Sequence, residues 1–193
     1  MTTFLKKIRT AVEKVADSWW PIVVIALLTS FALYQHWQMT HPRGPQLVRE
    51  GEQVQSIKLL TLQRDPVWIN WKANRRGTVV YYTSPDCVWC QRNADAARAA
   101  YQRASALGYQ FIGVSVKVDG LNEYLLKHAI PFPVYVDLDG TAAKTLKLAA
   151  TPETIFISPS GIVQKAIIGA YRGKNAEVLG RILGLTLAEI PAV

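Results

Sequence analysis

Only two cysteines occur in the 193 residues, Cys87 and Cys90, and they are spaced C-x-x-C. Two thiols one helical turn apart can do one kind of chemistry well. The first attacks a disulfide as a thiolate, and the second displaces the bound partner by closing a Cys87–Cys90 disulfide. Zinc is the usual competitor for such a pair, but it wants about four ligands. No second cysteine pair exists, and His36, His41 and His128 are distant in sequence. No metal is therefore expected. Two ordinary buried cysteines would leave the order of the surrounding elements unexplained.

Those elements must position the thiols. Thr78–Tyr82 is β-branched or aromatic throughout, which predicts a buried strand. Thr83-Ser84-Pro85-Asp86 predicts a turn ending in residues suited to a helix N-cap. Cys87 then opens a helix. Cys90, Ala94, Ala97, Tyr101 and Ala104 form its apolar stripe, and Gly108 stops it. Cys87 thus falls where backbone N–H groups point outward and the helix dipole is positive, so a thiolate is stabilised there. Thiols so placed in C-x-x-C motifs have pKa values of roughly 3.5–7.5, against about 8.5 for a free thiol. A C-x-x-C between a strand and a helix reads as redox chemistry.

Half the residues are hydrophobic and 19% are charged, enough for one packed domain plus an extension. The net charge is +8. No basic cluster coincides with a nucleic-acid-binding module, so nucleic acid is not expected as a partner. The charge suits acidic partners or an anionic membrane surface. Two cysteines in one short motif also argue against a structural disulfide framework.

The N-terminal part reads as a membrane attachment. Residues 1–18 place Phe4, Leu5, Ile8, Val12 and Val15 among Lys6, Lys7, Arg9 and Lys14, an amphipathic basic segment. Residues 19–37 carry no charge and have Trp19, Trp20, Tyr34 and Trp37 at their ends. As a helix they would span about 28 Å, close to the ~30 Å hydrocarbon core of a bilayer. A core helix would not be apolar all round. A cleaved signal peptide is the other alternative, with Ser30-Phe31-Ala32 loosely resembling a cleavage site. The long basic flank favours an uncleaved anchor with its N-terminus in the cytoplasm. Residues 38–53 read as a linker, and 54–193 as the folded domain.

Within that domain, Val54–Leu62 and Val67–Trp71 predict a hairpin turning at Arg64-Asp65-Pro66. Gln110–Val116 predicts a second buried strand, and Leu121–Ala129 a helix. Val134–Val136 reads as a short strand and Thr141–Leu148 as a short helix. Glu153–Ile157, the turn Ser158-Pro159-Ser160-Gly161 and Ile162–Ile168 form a second hairpin, and Asn175–Leu183 a closing helix.

This order, from about Val54 to Leu185, resembles the TlpA/ResA-like branch of membrane-anchored thioredoxin-like thiol-disulfide oxidoreductases. The C-x-x-C after a buried strand, the stretch Pro133–Gly140 followed by a helix, and Thr151–Gly161 carry the likeness. The resemblance implies an α/β thioredoxin-like fold, a central mixed β-sheet flanked by helices with an extra strand–helix insert. It implies a cis Pro152 facing the cysteines. Only about 5–6% of X-Pro bonds in folded proteins are cis. Such a proline would leave the Thr151 backbone to pair with an extended substrate. Trp89 becomes a substrate-contact surface. The buried acid that thioredoxins often place beneath the second cysteine corresponds to Tyr81, and Asp119 is the nearest match to the branch's glutamate. Tyr81 and Asp119 are thus the candidate proton-relay groups for Cys90. No cofactor is implied beyond the redox disulfide itself.

The implied function is reduction of periplasmic protein disulfides, as in cytochrome c or metalloprotein maturation, with a transmembrane thiol carrier as electron donor at the inner membrane. A disulfide-forming oxidase is the same chemistry reversed. A copper chaperone would need a histidine after His128, near Thr151-Pro152, and none occurs. A peroxiredoxin-type peroxidase would want proline seven residues before the attacking cysteine and Thr or Ser three before; Val80 and Ser84 stand there.

Overall fold

The computed structural model describes residues 19–40 and 47–193. The basic segment 1–18 and residues 41–46 of the predicted linker lie outside the described residues. The chain divides into two units, 1–44 and 45–193.

The first unit contains one described helix, α1, Trp20–Thr40. None of its residues is buried. It is long and apolar enough to cross a membrane. The helix runs three residues past the predicted end at Trp37. Gln38 and Thr40 can continue it because their polar groups bond one turn back. The Gln38 amide donates to the Tyr34 hydroxyl (2.7 Å), and the Thr40 hydroxyl to the His36 carbonyl (2.9 Å). Thr29, in mid-span, satisfies its hydroxyl on the Ile25 carbonyl at 2.8 Å. A hydroxyl bonded this way exposes little polarity to an apolar surround.

The second unit is a seven-stranded sheet in the order β2-β1-β5-β4-β3-β6-β7. The strands are β1 Ile57–Leu60, β2 Pro66–Ile69, β3 Thr78–Thr83, β4 Gln110–Ser115, β5 Val134–Val136, β6 Glu153–Ile157 and β7 Val163–Ile168. β3, β4 and β5 run parallel, while β1, β6 and β7 pair antiparallel. The predicted first hairpin is present, pairing Ile57 with Ile69, but its strands are shorter than the sequence suggested. A single 3₁₀ turn, Trp71–Ala73, follows it.

All six residues of β3 are buried, because both faces of the sheet are covered. Val79 and Tyr81 face one core with Phe111, Phe132, Tyr171 and Leu179. Val80 and Tyr82 face the other with Leu59, Ile112, Ile155 and Leu146. Gly113 lets the first core close, since a Cβ there would lie 2.8 Å from Val134 Cγ2. The helices are α2 Val88–Arg92, α3 Ala94–Ala106, α4 Leu121–Lys127, α5 Thr141–Thr145 and α6 Lys174–Leu183. β5 and α5 are the strand and helix expected of the insert, and β5 sits inside the sheet between β1 and β4.

One expectation fails informatively. The continuous helix predicted from Cys87 to Gly108 is broken at Asn93, between α2 and α3. Asn93 is fully buried and its amide is taken up by tertiary bonds, a demand that the apolar stripe does not reveal.

Candidate active site

β3 carries the chain into the site, and the turn after Thr83 delivers Cys87 as the N-cap of α2. Cys87 keeps an extended backbone, φ −82° and ψ 110°, and its sulfur caps the helix by accepting the Cys90 N–H at 3.1 Å. The sequence suggested that an oxygen-bearing residue such as Asp86 would do this. Asp86 instead forms an ion pair with Lys117. The cap is therefore the sulfur of the first cysteine, which receives a backbone N–H directly. Both cysteines are free thiols, Cys87 half-buried and Cys90 buried.

The Cys87 thiol donates to the Thr151 carbonyl at 3.3 Å, and the Thr151–Pro152 bond is cis. The second hairpin thereby meets the thiol turn across 64 residues of sequence. Glu153, just after the proline, is buried, and its Oε2 accepts from the Ala149 and Ala150 N–H groups at 3.0 and 3.4 Å. It ties down the loop that presents Thr151. Burial raises its pKa, with the two N–H donors opposing that rise. Sequence reading placed Glu153 only as a strand residue.

Cys90 occupies a different environment on the same helix. Burial, with the Cys87 sulfur adding to it, pushes its thiol up to about 12. The Thr83 hydroxyl and the Ser84 backbone pull the other way. Thr83 Oγ1 is buried and closes no full hydrogen bond. It is poised to favour negative charge on Cys90 or on Tyr124. The Tyr124 hydroxyl donates to the Cys90 carbonyl at 3.3 Å, and burial raises this phenol to about 12.

Beneath them lies a buried, uncharged polar chain. Asn93 Nδ2 donates to the Tyr81 hydroxyl at 3.2 Å, and Asn93 Oδ1 accepts the Tyr171 N–H at 2.7 Å. The Tyr171 hydroxyl bonds Thr154 Oγ1 at 2.5 Å. Of the two candidate relay groups, Tyr81 is thus in the layer below Cys90. Burial, with neighbouring Tyr124 and Tyr171 adding, holds its pKa well above the ordinary phenol value, so it stays neutral at neutral pH. Asp119 is exposed and makes no hydrogen bond to either thiol among the described residues; the Lys117 pKa is raised chiefly by its bond to Asp86, with Asp119 adding least. Asn93, Thr83, Tyr124 and Tyr171 were missed because their roles depend on contacts between distant elements.

Trp89, between the cysteines, is 38% exposed. The Arg172 guanidinium lies 4.3 Å from its ring centroid and that of Arg92 5.2 Å away. Among the described residues no group of three or more His, Cys, Asp or Glu side chains is gathered to hold a metal.

A parallel core strand feeding a C-x-x-C helix, opposite a cis-proline loop on an antiparallel hairpin, defines a thioredoxin-like protein. The pattern of the AhpC/TSA family matches residues 51–166, more than half the chain, and the chain belongs to that family. No protein of curated function matches the sequence significantly. Solved structures share the fold at low identity. A protein provisionally named thiol:disulfide interchange protein DsbE, from Chlorobium tepidum, superposes with a TM-score of 0.61 at 18% identity, over 75% of this chain and 99% of that one. StoA from Bacillus subtilis gives 0.53 at 13% identity, over 65% and 94%. A secreted Mycobacterium tuberculosis disulfide oxidoreductase, described as homologous to E. coli DsbE, gives 0.52 at 20% identity, over 67% and 96%.

Proposed function

We propose that this chain is a membrane-anchored thiol-disulfide oxidoreductase that reduces protein disulfides on the periplasmic side of a bacterial inner membrane. The observation that carries the reading is the pairing of unlike thiols. Cys87 is half-buried, caps α2 and touches Thr151, while Cys90 lies buried one turn on. Cys87, as thiolate, attacks one sulfur of a substrate disulfide. An S–S bond forms between protein and substrate, and the other substrate sulfur leaves as a thiolate that takes a proton from water. Cys90 then gives up its proton and attacks the Cys87 sulfur. The second substrate thiol departs, and two electrons have passed to the substrate.

The reductase direction is taken from the resemblance to the TlpA/ResA-like branch, and Cys90 is consistent with it. A dithiol is a strong oxidant when its reduced, thiolate form is stabilised. Burial keeps Cys90 protonated, so no stabilised thiolate at that sulfur makes the pair a strong oxidant. A transmembrane thiol carrier is the expected donor that returns the pair to the dithiol. The basic residues before α1 support an N-in orientation, with residues 47–193 exported.

Membership of the AhpC/TSA family raises a second reading, peroxide reduction by Cys87. Val80 and Ser84 leave that site half-formed: Val80 is buried in β3 and Ser84 is buried in the turn. The reduced full chain in detergent should convert a disulfide peptide to its thiols while losing two hydrogens as Cys87–Cys90 closes. A pair potential near the oxidising end of the range, about −120 mV, would reverse the assigned direction. Faster reaction with peroxide than with the peptide would favour the second reading. A reporter fused after Val193 that works only in the cytoplasm would overturn the location.

A further inference from the structure

We propose that a basic groove beside Cys87 selects protein segments with carboxylates next to the cysteine under attack; this rests on the oxidoreductase reading above. The groove has a volume of about 330 Å³ and is lined by Trp89, Ile168, Arg172, Lys174 and Asn175, among others. It is continuous with the site. Its Gly169 N–H donates to the Pro152 carbonyl at 2.8 Å, one residue from the carbonyl that receives the Cys87 thiol. Its wall is fixed, because Asn175 Nδ2 donates to the Ile168 and Ala170 carbonyls at 2.8 and 3.1 Å.

The charge in this groove is unanswered. Arg172 and Lys174 in the groove, and Arg92 against its Trp89, are all exposed, and none has an ion-pair partner among the described residues. The one carboxylate in the thiol turn, Asp86, is taken by Lys117. A guanidinium resting on an indole keeps its N–H edges available, so Arg172 and Arg92 are held by Trp89 yet can still fork onto a carboxylate. Exposed Val88 and Ile168 add apolar surface around the charges. An aromatic and two arginines form the kind of surface that dominates protein recognition. The occupant that fits is an extended acidic stretch of polypeptide, laid along the Thr151 loop with its cysteine at Cys87.

The test uses the reduced full chain in detergent with three disulfide-linked peptides, bearing Glu, Gln or Lys beside each cysteine. Two or three exposed charge contacts should give the Glu peptide about a tenfold higher kcat/KM than the Lys peptide. That ratio should shrink towards unity as salt rises to about 0.3 M. Combining Arg172→Glu with Lys174→Glu should invert the order of the peptides. Equal rates for all three peptides, a salt-independent preference, or an unchanged order in the double variant would overturn the groove's role while leaving the oxidoreductase reading intact. No exchange with any peptide would overturn both.

Discussion

The two sides of one short helix differ more than its sequence suggests. On the outer side of α2, Cys87, Val88 and Trp89 meet solvent, cations and the Thr151 loop. On the inner side, Cys90 and Asn93 are wholly buried, in a layer rich in hydroxyls and amides that contains no carboxylate among its named partners. Identical thiols three residues apart therefore sit in opposite environments, which is why the proposed mechanism gives them different duties. Burial and the direction of each sulfur make the difference. A sulfur that caps a helix meets an N–H and the Thr151 carbonyl at a partly open surface, whereas a sulfur one turn on meets the core, where charge is costly.

The largest test of this division is removal of the outer thiol. Cys87→Ser should bring disulfide exchange below about one-thousandth of the wild-type rate, since the shielded Cys90 cannot replace it. Residual turnover near one-tenth, read with a peptide disulfide, would mean that Cys90 is reachable and the contrast is misdrawn.

Next is the reactivity of the two thiols in the reduced protein. Iodoacetamide near pH 7 should label Cys87 at least about a hundredfold faster than Cys90, read by peptide mapping. The sign of the pH dependence follows from Cys90. Its pKa is raised to about 12, so its thiolate becomes more abundant all the way up the working range. The resolving step, followed by stopped flow, should therefore quicken about tenfold per pH unit between roughly pH 6 and 9. A resolving rate flat across that range would place the Cys90 pKa below about 6, and one that levels off within it would place it near neutral; either would contradict its shielding.

A smaller effect probes the layer beneath. Asn93→Ala removes the bonds to Tyr81 and Tyr171 and strands a buried N–H. It should cost about 1–3 kcal/mol, seen as a melting temperature lower by roughly 3–10 °C. Unchanged stability would mean that the break between α2 and α3 does not depend on Asn93. The smallest expected effect is at Thr83. Its hydroxyl closes no hydrogen bond yet lowers the Cys90 pKa. Thr83→Val should alter stability by less than about 1 kcal/mol but slow resolution about two- to fivefold. A faster resolving step would reverse the role given to that hydroxyl.

The outer side of the site was largely legible in the sequence, and the inner side was not. Thr151-Pro152 was placed at the site only through the family resemblance, whereas the buried strand and the C-x-x-C are local patterns with their own turn and periodicity. The strand–helix insert was readable for the same reason. Asn93 looked like one more polar residue in an amphipathic helix, because its partners arrive from β3 and from the segment before α6. Asp86 looked like the cap, and only the tertiary position of Lys117 explains why it is engaged elsewhere. The groove is invisible for the same reason, since Trp89 and Arg172 are adjacent only after folding.

The most direct measurement takes Cys90→Ser, mixes it with a disulfide substrate and determines the mass of the intact product without reductant. Attack by Cys87 with no resolving thiol should leave a covalent protein–substrate complex, mapped to Cys87 and released by dithiothreitol. Normal turnover by Cys90→Ser, or a complex that forms through Cys90 in Cys87→Ser, would contradict the account.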